Sequence, residues 1–124
     1  MKRVLIIDDD PDFAESVATL LKQSGHQVLR ACDGDQGVAL AAAEKPDVIL
    51  CDVVMKERTE GFFAIQRLRR TPGVENTPIM VISSVYESVP FFKVAPDQRW
   101  LGHNAFMRKP VNPDALLEMV ELAV

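Results

Sequence analysis

Five short apolar runs divide the chain, and a segment with helical spacing separates each run from the next. The runs lie near residues 4–8, 27–31, 47–52, 78–83 and 105–108. The first, third and fourth runs consist almost entirely of apolar, mostly branched residues. A strand with one wet face alternates apolar and polar residues, so continuous runs indicate strands that are covered on both faces. The pattern predicts strands of a parallel sheet that alternate with helices.

The first and last intervening segments carry clear helix signals. Asp10 can cap the first helix, and Pro11 suits its first position, where a missing backbone N–H costs nothing. Gly25 ends this helix because glycine readily takes a positive φ. The apolar stripe of the first helix is Phe13, Val17, Leu20 and Leu21. The last helix repeats the device with Asn112 and Pro113, and its stripe is Leu116, Leu117, Val120 and Val124.

The remaining segments complete an alternating order of strands and helices. Residues 35–44 and 62–70 are predicted helices, and the segment Tyr86–Asn104 is predicted to hold a short helix and a loop. Alternating strands and helices with short connections predict a single α/β domain over residues 1–124. Right-handed crossovers place helices on both faces of such a sheet, and ligands bind at the carboxyl ends of its strands.

Composition excludes several classes of function. The net charge is −4 and no long basic cluster is present, so direct nucleic-acid binding is not expected. No apolar stretch approaches the roughly 20 residues that span a bilayer, and no signal peptide is recognisable. Cys32 and Cys51 lack metal-site or redox spacing, and we expect reduced, buried thiols in a cytoplasmic protein. His26 and His103 are expected at the surface.

Polar residues follow four of the apolar runs. Asp8 and Asp9 follow the first, Asp52 the third, Ser83 with Ser84 the fourth, and Lys109 the last. Carboxylates that converge within about 5 Å repel by roughly 3 kcal/mol per pair at an effective dielectric near 20, and Mg²⁺ relieves this repulsion. An aspartate flanked by Mg²⁺ and a lysine is well placed to attack a phosphoryl group, and a serine can donate a hydrogen bond to the phosphoryl oxygen.

Together these motifs make nearly the whole chain resemble the receiver domain of two-component response regulators. The resemblance extends from Val4–Asp10 through Asp47–Asp52 and Pro78–Ser84 to Lys109-Pro110. It implies a flavodoxin-like (βα)5 fold, a doubly wound parallel five-stranded sheet with strand order 2-1-3-4-5. It also implies a phosphoacceptor that switches protein–protein contacts and has no enzymatic activity beyond its own phosphorylation and dephosphorylation.

The resemblance also implies residue roles. Asp52 corresponds to the phosphoacceptor, which receives its phosphoryl group from a histidine kinase or a phosphotransfer protein. Asp8, Asp9 and Asp52 correspond to the Mg²⁺ ligands, with the backbone carbonyl of Val54 as a further ligand. Ser83 corresponds to the switch hydroxyl and Lys109 to the lysine of the family motif.

Three features depart from the family pattern. Phe106 occupies a switch position that often holds a tyrosine, so a switch through that hydroxyl is lost. The charged loop Lys56–Glu60 lacks the usual proline and is one residue longer. The segment Tyr86–Asn104 is longer and rich in aromatic residues, and we expect it to form a remodelled surface for a downstream protein target.

Two other functions remain open from the sequence. A pseudo-receiver would bind its partners without phosphorylation. A haloacid-dehalogenase-like aspartyl phosphatase would place its nucleophile in the first acid cluster and would need a second acid cluster late in the chain, for which Asp97 and Asp114 are poor candidates.

Overall fold

A computed structural model describes residues 2–52, 60–83, 104–108 and 111–123. At positions 60–63, 83, 104, 106 and 108 it describes the backbone alone. The strands are β1 Arg3–Ile7, β2 Gln27–Ala31, β3 Val48–Asp52, β4 Ile79–Ser83 and β5 Asn104–Arg108. The described helices are α1 Pro11–Gln23, α2 Gly34–Glu44, α3 Glu60–Arg69 and α4 Pro113–Leu122.

The five strands form one parallel sheet in the order β2-β1-β3-β4-β5. This is the doubly wound, flavodoxin-like arrangement that the sequence predicts, and the predicted fold class is confirmed. The helix predicted between β4 and β5 falls in the segment Tyr86–Asn104. That segment lies outside the described residues apart from Asn104, which begins β5.

Two apolar cores, one on each face of the sheet, explain why β1 is apolar from Val4 to Ile7. Val4 and Ile6 pack with α1 and α4, whereas Leu5 and Ile7 pack with α2 and α3. Because successive side chains of a strand point to opposite faces, a strand between two helical layers must be apolar at every position. All four of these residues are buried.

The caps predicted for the first and last helices are confirmed. The carboxylate of Asp10 accepts hydrogen bonds from the backbone N–H groups of Asp12 and Phe13 at 3.0 and 3.3 Å. Asn112 accepts one from the backbone of Ala115 at 3.0 Å. Gly25 has a φ of +89°, the left-handed conformation expected after a helix.

The apolar stripes are shifted slightly from those predicted. In α1 the buried residues are Ala14, Val17, Ala18 and Leu21, and the predicted Phe13 and Leu20 flank them. In α4 the buried residues are Leu116, Met119 and Val120.

Three local predictions are wrong. Glu60, assigned to the charged loop, is the first residue of α3, where a carboxylate is favoured by the helix dipole. Cys32 is exposed because it lies just beyond the end of β2, whereas Cys51 is buried within β3, and both are free thiols. His26 is 7% exposed rather than a surface residue.

His26 is buried because the chain ends of three elements meet around it. Its Nδ1 accepts a hydrogen bond from the backbone N–H of Lys2 at 3.0 Å, and its Nε2 lies 4.0 Å from a carboxylate oxygen of Glu121. The Lys2 ammonium donates to the carbonyl of Ala123 at 2.5 Å. The imidazole therefore bonds to the segment just before β1 and lies beside the end of α4, and its Nε2 has no hydrogen-bond partner among the described residues.

None of the helices in the described ranges is long and apolar enough to cross a membrane.

We predict that His26→Ala lowers the free energy of unfolding by about 2 kcal/mol, because the N–H of Lys2 then loses its acceptor. His26→Asn should lose less, since its side-chain oxygen can occupy the position of Nδ1. Urea unfolding at neutral pH measures both, with exposed Gln27→Ala as the control. Equal losses in the alanine and asparagine variants would assign the effect to packing instead.

Candidate metal centre

The site lies at the point in the sheet where the order of strand addition reverses. The chain passes from β1 to β2 on one side and then crosses to β3 on the other side of β1. In open α/β sheets this switch point leaves a crevice at the carboxyl ends of the two central strands. Ile7 pairs with Cys51 in the β1–β3 ladder, so Asp8 and Asp52 follow at the same level on neighbouring strands.

The three aspartates predicted to converge do so. Asp8, Asp9 and Asp52 each present a carboxylate oxygen, and these oxygens all lie within 4.8 Å of one another. Asp8 is 4% exposed and Asp52 is 5% exposed, while Asp9 is partly exposed. The site therefore has two buried carboxylates and a third that opens toward solvent.

Backbone hydrogen bonds hold Asp8 in place. Its N–H donates to the carbonyl of Ala31 in β2 at 3.1 Å. One oxygen of its carboxylate accepts from the N–H of Asp10 at 2.8 Å, which closes the turn into α1. The neighbouring acids therefore have separate structural roles: Asp10 caps the helix, and Asp8 lies at the sheet edge beside Asp9.

The charge and the donor atoms of this cluster suit a hard divalent cation. At 4.8 Å and an effective dielectric near 20, two carboxylates repel by about 3 kcal/mol. Carboxylate oxygens are the protein ligands that Mg²⁺ prefers, and one open side leaves room for the waters that it retains. Asp8, Asp9 and Asp52 would hold such an ion. Within the described ranges, no other group of three His, Cys, Asp or Glu residues has this spacing.

The remaining predicted site residues are located to different degrees. Ser83 ends β4 one position beyond Ile82, the residue opposite Asp52, and pairs in turn with Arg108. The carboxyl ends of β3, β4 and β5 therefore lie along one edge of the sheet, and Asp52 and Ser83 both lie at this edge. The side chains of Ser83 and Phe106 are not among those described, and Lys109, Val54 and the loop residues 56–59 lie outside the described residues.

Gly37 is a residue near this site that sequence reasoning missed. It lies in the first turns of α2, and a Cβ built on it would lie 2.7 Å from Cγ1 of Ile7, the residue before Asp8. A glycine inside a helix is unfavourable relative to alanine and can mark a close approach of backbone. That signal was present in the predicted helix 35–44.

Comparison with known proteins gives the class of this chain. The family model of the response regulator receiver domain matches residues 4–121. The chain belongs to the response regulator receiver domain family.

Particular relatives agree with this assignment along the whole chain. Protein PilH of Pseudomonas aeruginosa is 34% identical over 97% of this chain and 95% of its own length. Protein PilG of the same organism is 28% identical over 98% of this chain and 87% of its own length. The structure of the chemotaxis response regulator CheY4 of Vibrio cholerae matches with a TM-score of 0.80 and 28% identity, covering 100% of this chain and 99% of CheY4.

A further relative is much longer. The DNA-binding dual master transcriptional regulator RpaA of Synechocystis is 38% identical over 68% of this chain, but the match covers 35% of RpaA. The similarity therefore extends to parts of larger proteins as well as to proteins of about this length.

We predict that Asp9→Asn raises the free energy of unfolding by about 1 kcal/mol without divalent cations, because one repulsive charge is removed. The same substitution should remove most of the stabilisation by Mg²⁺, which for the wild type is about 2.7 kcal/mol at one hundred times Kd. Urea unfolding with and without Mg²⁺ measures both effects. Asp12→Asn, at an exposed position of α1, is the control. Undiminished Mg²⁺ stabilisation would remove Asp9 from the ligand set.

Substitution of Asp10 should have the opposite effects: it should lower stability and spare Mg²⁺ binding. We predict that Asp10→Ala destabilises the protein by about 1 kcal/mol through loss of the cap, whereas Asp10→Ser retains most of the stability. Both variants should bind Mg²⁺ much more tightly than Asp9→Asn in calorimetric titration. Loss of Mg²⁺ binding in Asp10→Ser would show that Asp10 also belongs to the metal centre.

Proposed function

We propose that this chain is a phosphoacceptor receiver domain in which Asp52 takes a phosphoryl group in the presence of Mg²⁺. The convergence of Asp8, Asp9 and Asp52 within 4.8 Å at the carboxyl ends of β1 and β3 carries the proposal. The membership of the receiver family supports it. The acid nearest the centre of the sheet on β3 is the acceptor, and the two acids after β1 complete the ligand set.

The proposed chemistry is a transfer between two protein side chains. A carboxylate oxygen of Asp52 attacks the phosphorus of a donor phosphohistidine, the P–O bond forms as the P–N bond breaks, and the imidazole leaves with its electron pair. Mg²⁺, when bound, neutralises charge on the phosphoryl oxygens. Asp8, Asp9 and Asp52 would hold the ion, together with the backbone carbonyl of Val54. Lys109 provides the second positive charge and Ser83 donates a hydrogen bond to the phosphoryl oxygen.

The partners follow from this chemistry. The donor is a histidine kinase or a phosphotransfer protein, and the output is a change in protein–protein contacts rather than catalysis on a separate substrate. The modified Asp52 draws Ser83 toward it and biases two states of the segment that follows. The target surface is the segment Tyr86–Asn104, with Phe106 as a switch residue that lacks a hydroxyl. We place this activity in the cytoplasm, without direct nucleic-acid contact.

The alternative as an aspartyl phosphatase has less support. It requires a late acid cluster, and among the described residues the single three-acid group is Asp8, Asp9 and Asp52. Asp114 is exposed in the first turn of α4, where it complements the helix dipole.

We predict that acetyl phosphate with Mg²⁺ phosphorylates the wild type and that Asp52→Asn abolishes the label. Asp114→Asn, which removes an exposed acid that is not part of the three-acid group, should retain it. Intact-protein mass spectrometry counts the label, and borohydride reduction of the acyl phosphate before peptide mapping locates it.

Each other outcome identifies a different function. A label on Asp8 would overturn the proposal in favour of the phosphatase chemistry. No label from acetyl phosphate or a histidine kinase, with Mg²⁺ binding intact, would identify a pseudo-receiver.

A further inference from the structure

Helix α2 approaches the sheet at Gly37 too closely for any side chain. Gly37 is buried, and a Cβ built on it would collide with Cδ1 of Ile7 and lie 2.7 Å from Cγ1 and 3.2 Å from Cγ2 of the same residue. Carbon atoms in contact prefer about 3.5–4.0 Å, so even an alanine methyl group requires something to move. The residue that it meets directly precedes Asp8.

Ile7 has little freedom to yield. It is fully buried, and its branched Cβ restricts the rotation about χ1. Its backbone is paired on both sides, with Ala31 in β2 and Cys51 in β3. A displacement of Ile7 is therefore transmitted to β1, whose last residue is Ile7 itself, and so to Asp8, the next residue in the chain.

Helix α2 cannot move away without disturbing the same acid. Asp33 caps the helix by accepting from the N–H of Gln36 at 2.8 Å. The side chain of Gln36 in turn accepts from the N–H of Cys32 at 3.0 Å, which ties the helix to the end of β2. The residue before Cys32 is Ala31, whose carbonyl accepts the N–H of Asp8 at 3.1 Å. Both routes of displacement from position 37 lead to Asp8.

We propose that Gly37 is a positioning residue of the metal centre. Its missing side chain lets α2 seat directly on Ile7, and this contact holds Asp8 at the distance from Asp9 and Asp52 that a cation requires. The inference rests on the proposed function, because it assumes that the three carboxylates bind Mg²⁺. Helix propensity alone would favour alanine at position 37, so the packing and the propensity predict opposite effects of the same substitution.

The test is Mg²⁺ binding by Gly37→Ala, measured by isothermal titration calorimetry, with urea unfolding in the absence of Mg²⁺ as a second measurement. We expect the Kd for Mg²⁺ to rise about tenfold, as for other residues that orient metal ligands without touching the metal. Ala41→Val is the matched control, because it adds bulk to the same buried face of α2 one turn further from the acids. It should lower stability and leave the Kd near that of the wild type.

A second substitution, at Ile7, tests whether Gly37→Ala acts on the metal centre through its contact with Ile7. In an Ile7→Ala background the Gly37→Ala substitution should no longer raise the Kd, because the atoms that the new methyl group meets are gone. Should Gly37→Ala fail to fold, the comparison is made in an Ile7→Val background, which removes Cδ1 but retains the two Cγ positions. Gly37→Ala should still weaken Mg²⁺ binding there.

The outcomes separate this inference from the proposed function. A Gly37→Ala variant that binds Mg²⁺ like its parent, or an Ala41→Val variant that loses as much affinity, would overturn the positioning role while leaving the metal centre intact. A wild-type protein that does not bind Mg²⁺ would instead contradict the proposed function itself.

Discussion

The register between β1 and β3 is the constraint on which the rest of this structure depends. Ile7 lies opposite Cys51, so the two strands end at the same level and their terminal carboxylates become neighbours. A slip of one residue would exchange the two buried faces of β1 and also separate Asp8 from Asp52. The apolar cores on the two faces and the polar site at the edge therefore specify the same register, which makes the arrangement mutually consistent.

The acid cluster is electrostatically unfavourable, and the surrounding structure compensates for it locally. Asp8 is held by the carbonyl of Ala31 and the N–H of Asp10, and Gly37 allows the helix behind it to lie against Ile7. Such a preorganised cluster would bind a cation without first rearranging, because the repulsion is already present in the folded state and would be relieved on binding. The same repulsion opposes folding when no cation is bound, so stability and metal affinity are linked.

The errors in the sequence-based predictions have two causes. His26 follows a helix-ending glycine, a position that usually faces solvent, yet the end of α4 covers it. Cys32 looked like a core thiol, but β2 ends one residue before it. Gly37 carried a visible signal, a glycine within a helix, whose meaning depended on its contact with Ile7. For His26 and Gly37 a residue distant in the chain decides the environment, and local patterns carry no information about that residue. For Cys32 the error lies in the position of a strand end.

The sequence by itself determined the alternation of strands and helices, the two-sided burial of the central strands, the caps at Asp10 and Asn112, and the identity of the acids at the strand ends. These properties are local, since they follow from side-chain periodicity and from hydrogen bonds within a few residues. The tertiary structure alone decided the separation of the three carboxylates, the burial of His26 and the contact between Gly37 and Ile7. Each of these depends on how strands and helices far apart in the chain are paired and packed, and that pairing is a cooperative result of the whole core.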